Sequence, residues 1–215
     1  MNLDSVMSIA SPAIPIGRAA RRKEQTRRDL LDAAKRVFAT RGYHQAKISD
    51  IAAAADVGVG TVYLHYDGKE ALFLALVDAT AHELKACIDA AKARASSPIE
   101  QSRLGCEALF RFAAENRETF RILFGEGVFN QAIRLAQQVF AADIAQNVTA
   151  GIRDGIFAPH PPQVVVHAVI GLLTEVVSWW ITQDEISLEE AVETTNGLIA
   201  SGLVLQRRDR GTGRT

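Results

Sequence analysis

The side chains best equipped for chemistry lie close together: Thr61, Tyr63, His65 and Lys69, with Gly60 exposing backbone beside them. A hydroxyl, a phenol, an imidazole and an ammonium are hydrogen-bonding groups that could meet phosphate oxygens or base edges, although for Tyr63 alone a surface-packed aromatic is the default reading. Catalysis is poorly provided for. The sequence offers no nucleophile motif, no phosphate loop, no carboxylate pair with a visible partner, and no metal-ligand spacing around His82, His160 and His167. Cys87 and Cys106 are far apart in sequence, without CxxC pairing, and are expected to be buried free thiols. The chemistry expected is therefore binding, not an enzyme reaction, with no cofactor and no metal.

Charge reinforces that expectation. The 215 residues carry a net charge of −1, but the average hides a gradient. Between Arg18 and Lys47 ten basic residues face three acids (Glu24, Asp29 and Asp32), a surplus of seven positive charges. Between Ala71 and Leu205 nine basic residues face sixteen acids, the opposite surplus. A basic head on an acidic body suggests that the head meets a polyanion while the body does something else. A solvated charged helix is the plainer alternative.

The elements that must position these groups are helices. Apolar residues recur at spacings of three and four, as in Leu30, Ala34, Val37 and Phe38, and strand-like alternation is absent. Asp67 with Glu70, Ser97 with Glu100, and Ser187 with Glu190 read as helix starts with reciprocal caps. Pro161-Pro162 opens a helix and Asp154-Gly155 closes the one before it. The pattern predicts an all-α chain of about nine helices near 24–41, 48–54, 59–65, 68–93, 98–115, 117–124, 127–153, 162–182 and 188–206. Residues 1–17 read as a disordered lead, 18–70 as a first domain with a basic arm, 71–206 as the body, and 207–215 as a flexible tail. The apolar run Val164–Ile181 carries His167 and Glu175, which argues against a membrane span. No secretory signal is visible, so a cytoplasmic location is expected.

The short second and third helices are joined through Ala55-Asp56-Val57-Gly58, the layout of a helix-turn-helix. Spacing alone leaves an ordinary helical hairpin open. The wording narrows it. Leu30-x-x-Ala33-Ala34-x-x-Val37-Phe38-x-x-x-Gly42-Tyr43 precedes Ile48-x-Asp50-Ile51-Ala52. Then follows Ala55-Asp56-Val57-Gly58-x-Gly60-Thr61-Val62-Tyr63-x-His65-Tyr66-x-x-Lys69-Glu70-x-Leu72. This segment closely resembles the DNA-binding domain of the TetR family of bacterial transcriptional regulators.

The resemblance implies a double-stranded operator as partner and assigns roles to matching positions. Gly60, Thr61, Tyr63, His65 and Lys69 fall where the family contacts DNA, with Tyr63 and Lys69 on phosphates. Ile48, Ser49, Gly58 and Val59 complete the helix-turn-helix set, and Arg21, Arg22 and Lys23 form the basic arm. Two positions depart from the family's habit. Ala46-Lys47 stands where a Ser or Thr often caps the second helix, and Gly58-Val59 replaces the usual polar pair heading the third. Ile51, Ala52, Val62 and Tyr66 are expected in the core.

For the body, the resemblance implies a dimerising, ligand-sensing domain, and so a regulator, most simply a repressor, released by a small effector. The last two helices would form a homodimer interface, with Leu188, Val192, Thr195, Ile199 and Gly202 at seam spacing. Phe110, Phe120, Phe124, Phe140 and Trp179 are candidate walls of a hydrophobic effector pocket, with Glu175 as its polar anchor. A neutral or amphipathic hydrophobic effector is preferred, with a fatty acyl compound as its rival. A helical enzyme, or a ligand-binding protein that does not touch DNA, is the alternative class.

Overall fold

A computed structural model describes residues 17–124 and 129–204. The expected lead and tail therefore lie outside the described residues, apart from Gly17. The described residues form nine α-helices and no strand: α1 (Arg18–Gln45), α2 (Ile48–Ala54), α3 (Val59–Tyr63), α4 (Lys69–Lys92), α5 (Pro98–Glu115), α6 (Arg117–Leu123), α7 (Phe129–Arg153), α8 (Pro162–Trp180) and α9 (Leu188–Leu203).

The largest departure from expectation is at the start. Helix α1 begins at Arg18, so Arg21, Arg22 and Lys23 stand on helix and do not form an extended arm. Alanine, arginine, lysine, glutamate and glutamine are strong helix formers, and nothing in this stretch breaks the backbone. At its other end α1 kinks at Gly42, whose φ of 72° and ψ of 158° only glycine adopts without strain.

Caps account for most other boundaries. Ser187 and Glu190 exchange bonds at the head of α9, as expected, at 3.2 and 3.0 Å. The Ser97 hydroxyl accepts the Glu100 N–H at the head of α5. At α2, where Ser or Thr is missing, the Asp50 carboxylate does the work from inside the helix. It accepts the Lys47 backbone N–H at 3.1 Å and pairs with Arg41 at 3.3 Å. The expected Asp67 cap does not form; α4 starts from Gly68, with φ at 121° and no side-chain cap. Gly155 (φ 69°) closes α7, and the N–H groups of Ile156 and Phe157 return to the Gly151 carbonyl. A Cβ on Gly151 would fall within 2.1 Å of the Phe157 ring, so this glycine makes room for the aromatic.

Three apolar clusters organise the chain. The first joins α1–α3 to the first half of α4 and to Ile122 and Leu123 of α6. The second packs Phe110, Phe112, Phe120, Trp180 and Ile181 around Leu84 and Cys106. The third gathers Val148, Phe157, Val165, Ile199 and Leu203. Helix α4 belongs to the first cluster through Val77 and to the second from Leu84. Helix α4 is thus shared by the two clusters.

Arg117, at the start of α6, fastens that helix to the end of α8. Its Nε donates to the Ile181 carbonyl at 2.7 Å, and one Nη donates to the Gln183 carbonyl and to Asp184 at 2.6 and 2.9 Å. By length and composition α8 could cross a membrane. Its placement is that of a body helix: Val165, Ile170, Thr174 and Val177 face inward, while Glu175 points to solvent.

Candidate nucleic-acid interface and ligand cavity

Helix α3 is held by one side. Val62 is fully buried, and Tyr66 just beyond the helix is nearly so, its hydroxyl donating to the Arg27 carbonyl at 3.4 Å. The opposite side is free. Val59, Gly60, Tyr63 and Leu64 project to solvent, Tyr63 at 56% and Leu64 at 79% exposure. Ser49 and Gly58 are exposed beside them, while Thr61 and His65 are half-buried at the flanks. Ile48 is partly buried and packs against the first core. Arg21, Arg22 and Lys23 are exposed on α1.

Leu64 was not anticipated. The signal was there: the core takes Val62 and Tyr66, four apart, which turns the residues between them outward.

Lys69 also departs from its expected role. Its ammonium donates to the carbonyls of Tyr43, His44 and Ala46 at 2.8, 3.1 and 3.1 Å and lies 4.7 Å from the centre of the Tyr43 ring. An ammonium has three protons, and three acceptors hold them. The side chain caps the end of α1 where the chain turns into α2; it does not reach outward for a phosphate. The turn into α3 is strained too: Asp56 sits at φ 54°, a left-handed conformation that Asp tolerates better than most residues.

In the body, a cavity of about 170 Å³ runs between α4, α5, α7 and α8. Its α4 wall extends from Val77 to Lys92, and Leu84, Phe120, Leu123, Phe124, Phe140 and Leu173 make most of the rest apolar. Phe120, Phe124 and Phe140 therefore line it, as expected. Phe110 does not: it is fully buried behind the wall, edge-on to Trp180 at 5.5 Å. Glu175 and Trp179 are also outside. They lie one turn apart on the solvent face of α8, opposite Thr174 and Val177, so neither can anchor a ligand in the cavity. Sequence reasoning missed the aliphatic lining because Val77, Leu84 and Leu173 have the same period as any core residue.

Cys106 lines the cavity, and burial, with a smaller contribution from the Glu107 carboxylate, pushes its thiol pKa up to about 12. Cys87 is exposed, contrary to expectation. No cluster of three or more metal-ligating side chains occurs among the described residues.

Residues 30–76 match the family model for bacterial regulatory proteins of the tetR family. Residues 95–203 match that of the tetracyclin repressor-like C-terminal domain, which alone spans just over half of the chain. The chain belongs to the TetR family. It is a DNA-binding transcriptional regulator. Its similarity to the HTH-type transcriptional activator FasR of Mycolicibacterium smegmatis is 25% identity, over 84% of each chain. The structure of the fatty acid degradation regulator FadR of Bacillus halodurans superposes with a TM-score of 0.70 at 24% identity, over 82% of this chain and 95% of that one. FadR of Bacillus subtilis, in complex with stearoyl-CoA, gives 0.72 at 22% identity, over 81% of this chain and 98% of that one. These structural likenesses establish the shared fold.

Proposed function

We propose that this TetR-family regulator is a homodimeric repressor that leaves a pseudo-palindromic operator when a fatty acyl compound enters its body. The observation that carries the reading is the sharing of α4: one end is in the core that holds α3, the other walls an elongated apolar cavity. Whatever widens the cavity acts on the helix that supports the reading head.

On DNA, α3 enters the major groove. Gly58 and Gly60 let backbone approach the wall, and Tyr63 bonds a phosphate. Val59 meets a thymine methyl, while Thr61 and His65 add single hydrogen bonds. Leu64 extends the apolar contact. Arg21, Arg22 and Lys23 run along the phosphates from a helix. Lys69 acts indirectly, by fixing the turn before α2.

The effector class is supported by shape. The α4 wall from Val77 to Lys92 is about 22 Å long at helical rise, which suits a linear chain better than a compact ring. Its volume matches a cavity that takes only benzene, about 150 Å³, so a long chain must push the lining helices apart. That displacement supplies the difference in affinity between states; a 100-fold loss of operator binding needs about 2.7 kcal/mol. The names of the fatty acid regulators among its relatives point the same way.

Val164, Ala168 and Gly171 of α8, with Gly197, Leu198 and Gly202 of α9, offer small and apolar residues on faces that are exposed in one chain. Apposed with their copies they would form a four-helix dimer interface. The seam differs from the expected one, because Thr195 and Ile199 are turned into the body.

The test combines both halves. The operator is isolated by selection, and release is measured against a panel of acyl compounds and aromatics. Release by acyl chains of one length range supports the reading; a protein that binds operator but is released by none of the panel ends the effector claim. Uracil in place of the thymines opposite Val59 should weaken binding, and unchanged affinity would remove that contact.

A further inference from the structure

The two ends of the cavity differ in chemistry. Near Val77, Leu123 and Phe124 it is apolar. At the other end, where α4 finishes, α5 begins and α7 passes between, Lys92, Gln101, Ser102 and Asn147 line it. We propose that these four residues form a head-group subsite for a chain whose polar end carries an anion beside an N–H or O–H donor. This rests on the effector reading above.

Two of the four groups lack what they need. The Asn147 amide is fixed by a bond from its Nδ2 to the Pro98 carbonyl at 3.2 Å. Only the nitrogen can donate to a carbonyl, so this bond sets the orientation of the amide and turns Oδ1 the other way. That oxygen is buried and has no hydrogen-bond partner. Buried acceptors are normally satisfied, and Asn147 is one of the residues that line the cavity. It calls for a donor.

Lys92 calls for an anion. It is half-buried, and no hydrogen bond or ion pair engages its ammonium among the described residues. Lys85, two turns earlier on the same helix, shows the contrast: Asp89 and Asp143 both hold it at 2.6 Å. Asp89 and Asp143 thus share the one ammonium of Lys85, while the ammonium of Lys92 has no carboxylate of its own. The stem of Lys92 runs along α5 beside Gly105, with its Cδ 3.6 Å from where a Cβ would stand. The stem thus packs on α5 beside the cavity.

Together these groups discriminate. A neutral hydrocarbon end would cover the Lys92 charge and leave the Asn147 oxygen unpaired, whereas an anion with an adjacent donor satisfies both. Gln101 and Ser102, on the first turns of α5, add an amide and a hydroxyl that can follow the head group's remaining lone pairs.

The experiment is calorimetric titration of the full chain with decanoate, N-decanoylglycine and methyl decanoate. The tail is constant; the first has the anion, the second the anion and an amide N–H, the third neither. Wild type should bind N-decanoylglycine tightest and the ester weakest. Lys92→Gln should lower affinity for both anions about tenfold or more, the usual scale for a charge-assisted hydrogen bond. Lys92→Arg should restore it. Asn147→Leu should remove the advantage of N-decanoylglycine over decanoate. Lys92 is only half-buried, at the end of α4, so its variants keep the test decisive if Asn147→Leu does not fold. Binding of all three with a ranking that Lys92→Gln leaves untouched overturns the subsite and spares the effector reading. Failure of all three to bind wild type overturns both.

Discussion

The ammonium of Lys69 lies 2.8 Å from the carbonyl oxygen of Tyr43 and 4.7 Å from the centre of that residue's own ring. One side chain thereby closes the end of α1 and stacks on the aromatic that follows the Gly42 kink. Tyr43 in turn packs edge-on to Phe73, 4.9 Å away, at the base of α4. The reading head is therefore squared against α4 by a cation that DNA does not need to touch.

Lys69→Gln should lose stability before it loses charge-dependent binding. Charge-assisted bonds at a half-buried site are worth about 1–2 kcal/mol here, or a Tm lower by about 3–8 °C. Operator affinity should fall at every salt concentration, with an unchanged log–log slope. A slope reduced by about 0.9 with an unaltered melting curve would return Lys69 to a phosphate.

The basic turns of α1 should behave in the opposite way. Arg22 and Lys23 are exposed on a helix end that carries no acid in its first turn, where the dipole disfavours cations. Arg22→Gln with Lys23→Gln should leave the fold as stable or slightly more so. The salt slope should become shallower by about 0.9 for each phosphate that is no longer neutralised. An unchanged slope in a filter-binding or anisotropy titration would take these residues off the DNA.

Two unusual backbones should respond by different amounts. Gly42→Ala must hold a φ of 72° with ψ of 158° and should cost about 1–3 kcal/mol in denaturant unfolding, although no atom stands in the way of the methyl. Asp56→Gly removes a left-handed penalty while adding chain entropy of similar size, and should stay within about 0.5 kcal/mol of wild type. A large loss at Asp56 would show that its carboxylate, not its backbone, matters.

The two thiols should separate by pH. Cys106, pushed up to about 12 by burial, remains protonated and unreactive toward iodoacetamide at pH 8, while exposed Cys87 is alkylated. Mass spectrometry after brief labelling checks this. Equal labelling of both would mean that the cavity opens readily without ligand.

Most of the helical frame was legible because capping and period are local. Ser187 with Glu190 and the Pro161-Pro162 opening fix α9 and α8 without reference to the rest of the chain. The helix-turn-helix face was legible from its wording. The errors share a cause: each turned on which way a side chain faces once helices pack. Glu175, a polar residue in an apolar helix, read as a ligand anchor and proved to face solvent; Lys69, a basic residue in a DNA-binding motif, proved to bind its own backbone. The polar end of the cavity was invisible, because Lys92, Gln101 and Asn147 come from three helices with no spacing in common.

Helix α4 has a mechanical consequence. Its 24 residues give it a length of about 36 Å. If the cavity end is the pivot, a tilt of about 5° swings the opposite end through about 3 Å at that length. That displacement is as long as a hydrogen bond, yet the angle is small enough for the side chains near the pivot to follow by rotamer adjustment. In a two-fold dimer both heads would swing, and the mismatch with the pitch of the duplex would double. On the proposed reading a small deformation is enough: α4 would act as a lever arm, and the rigid spacing of the operator would turn a few degrees into release.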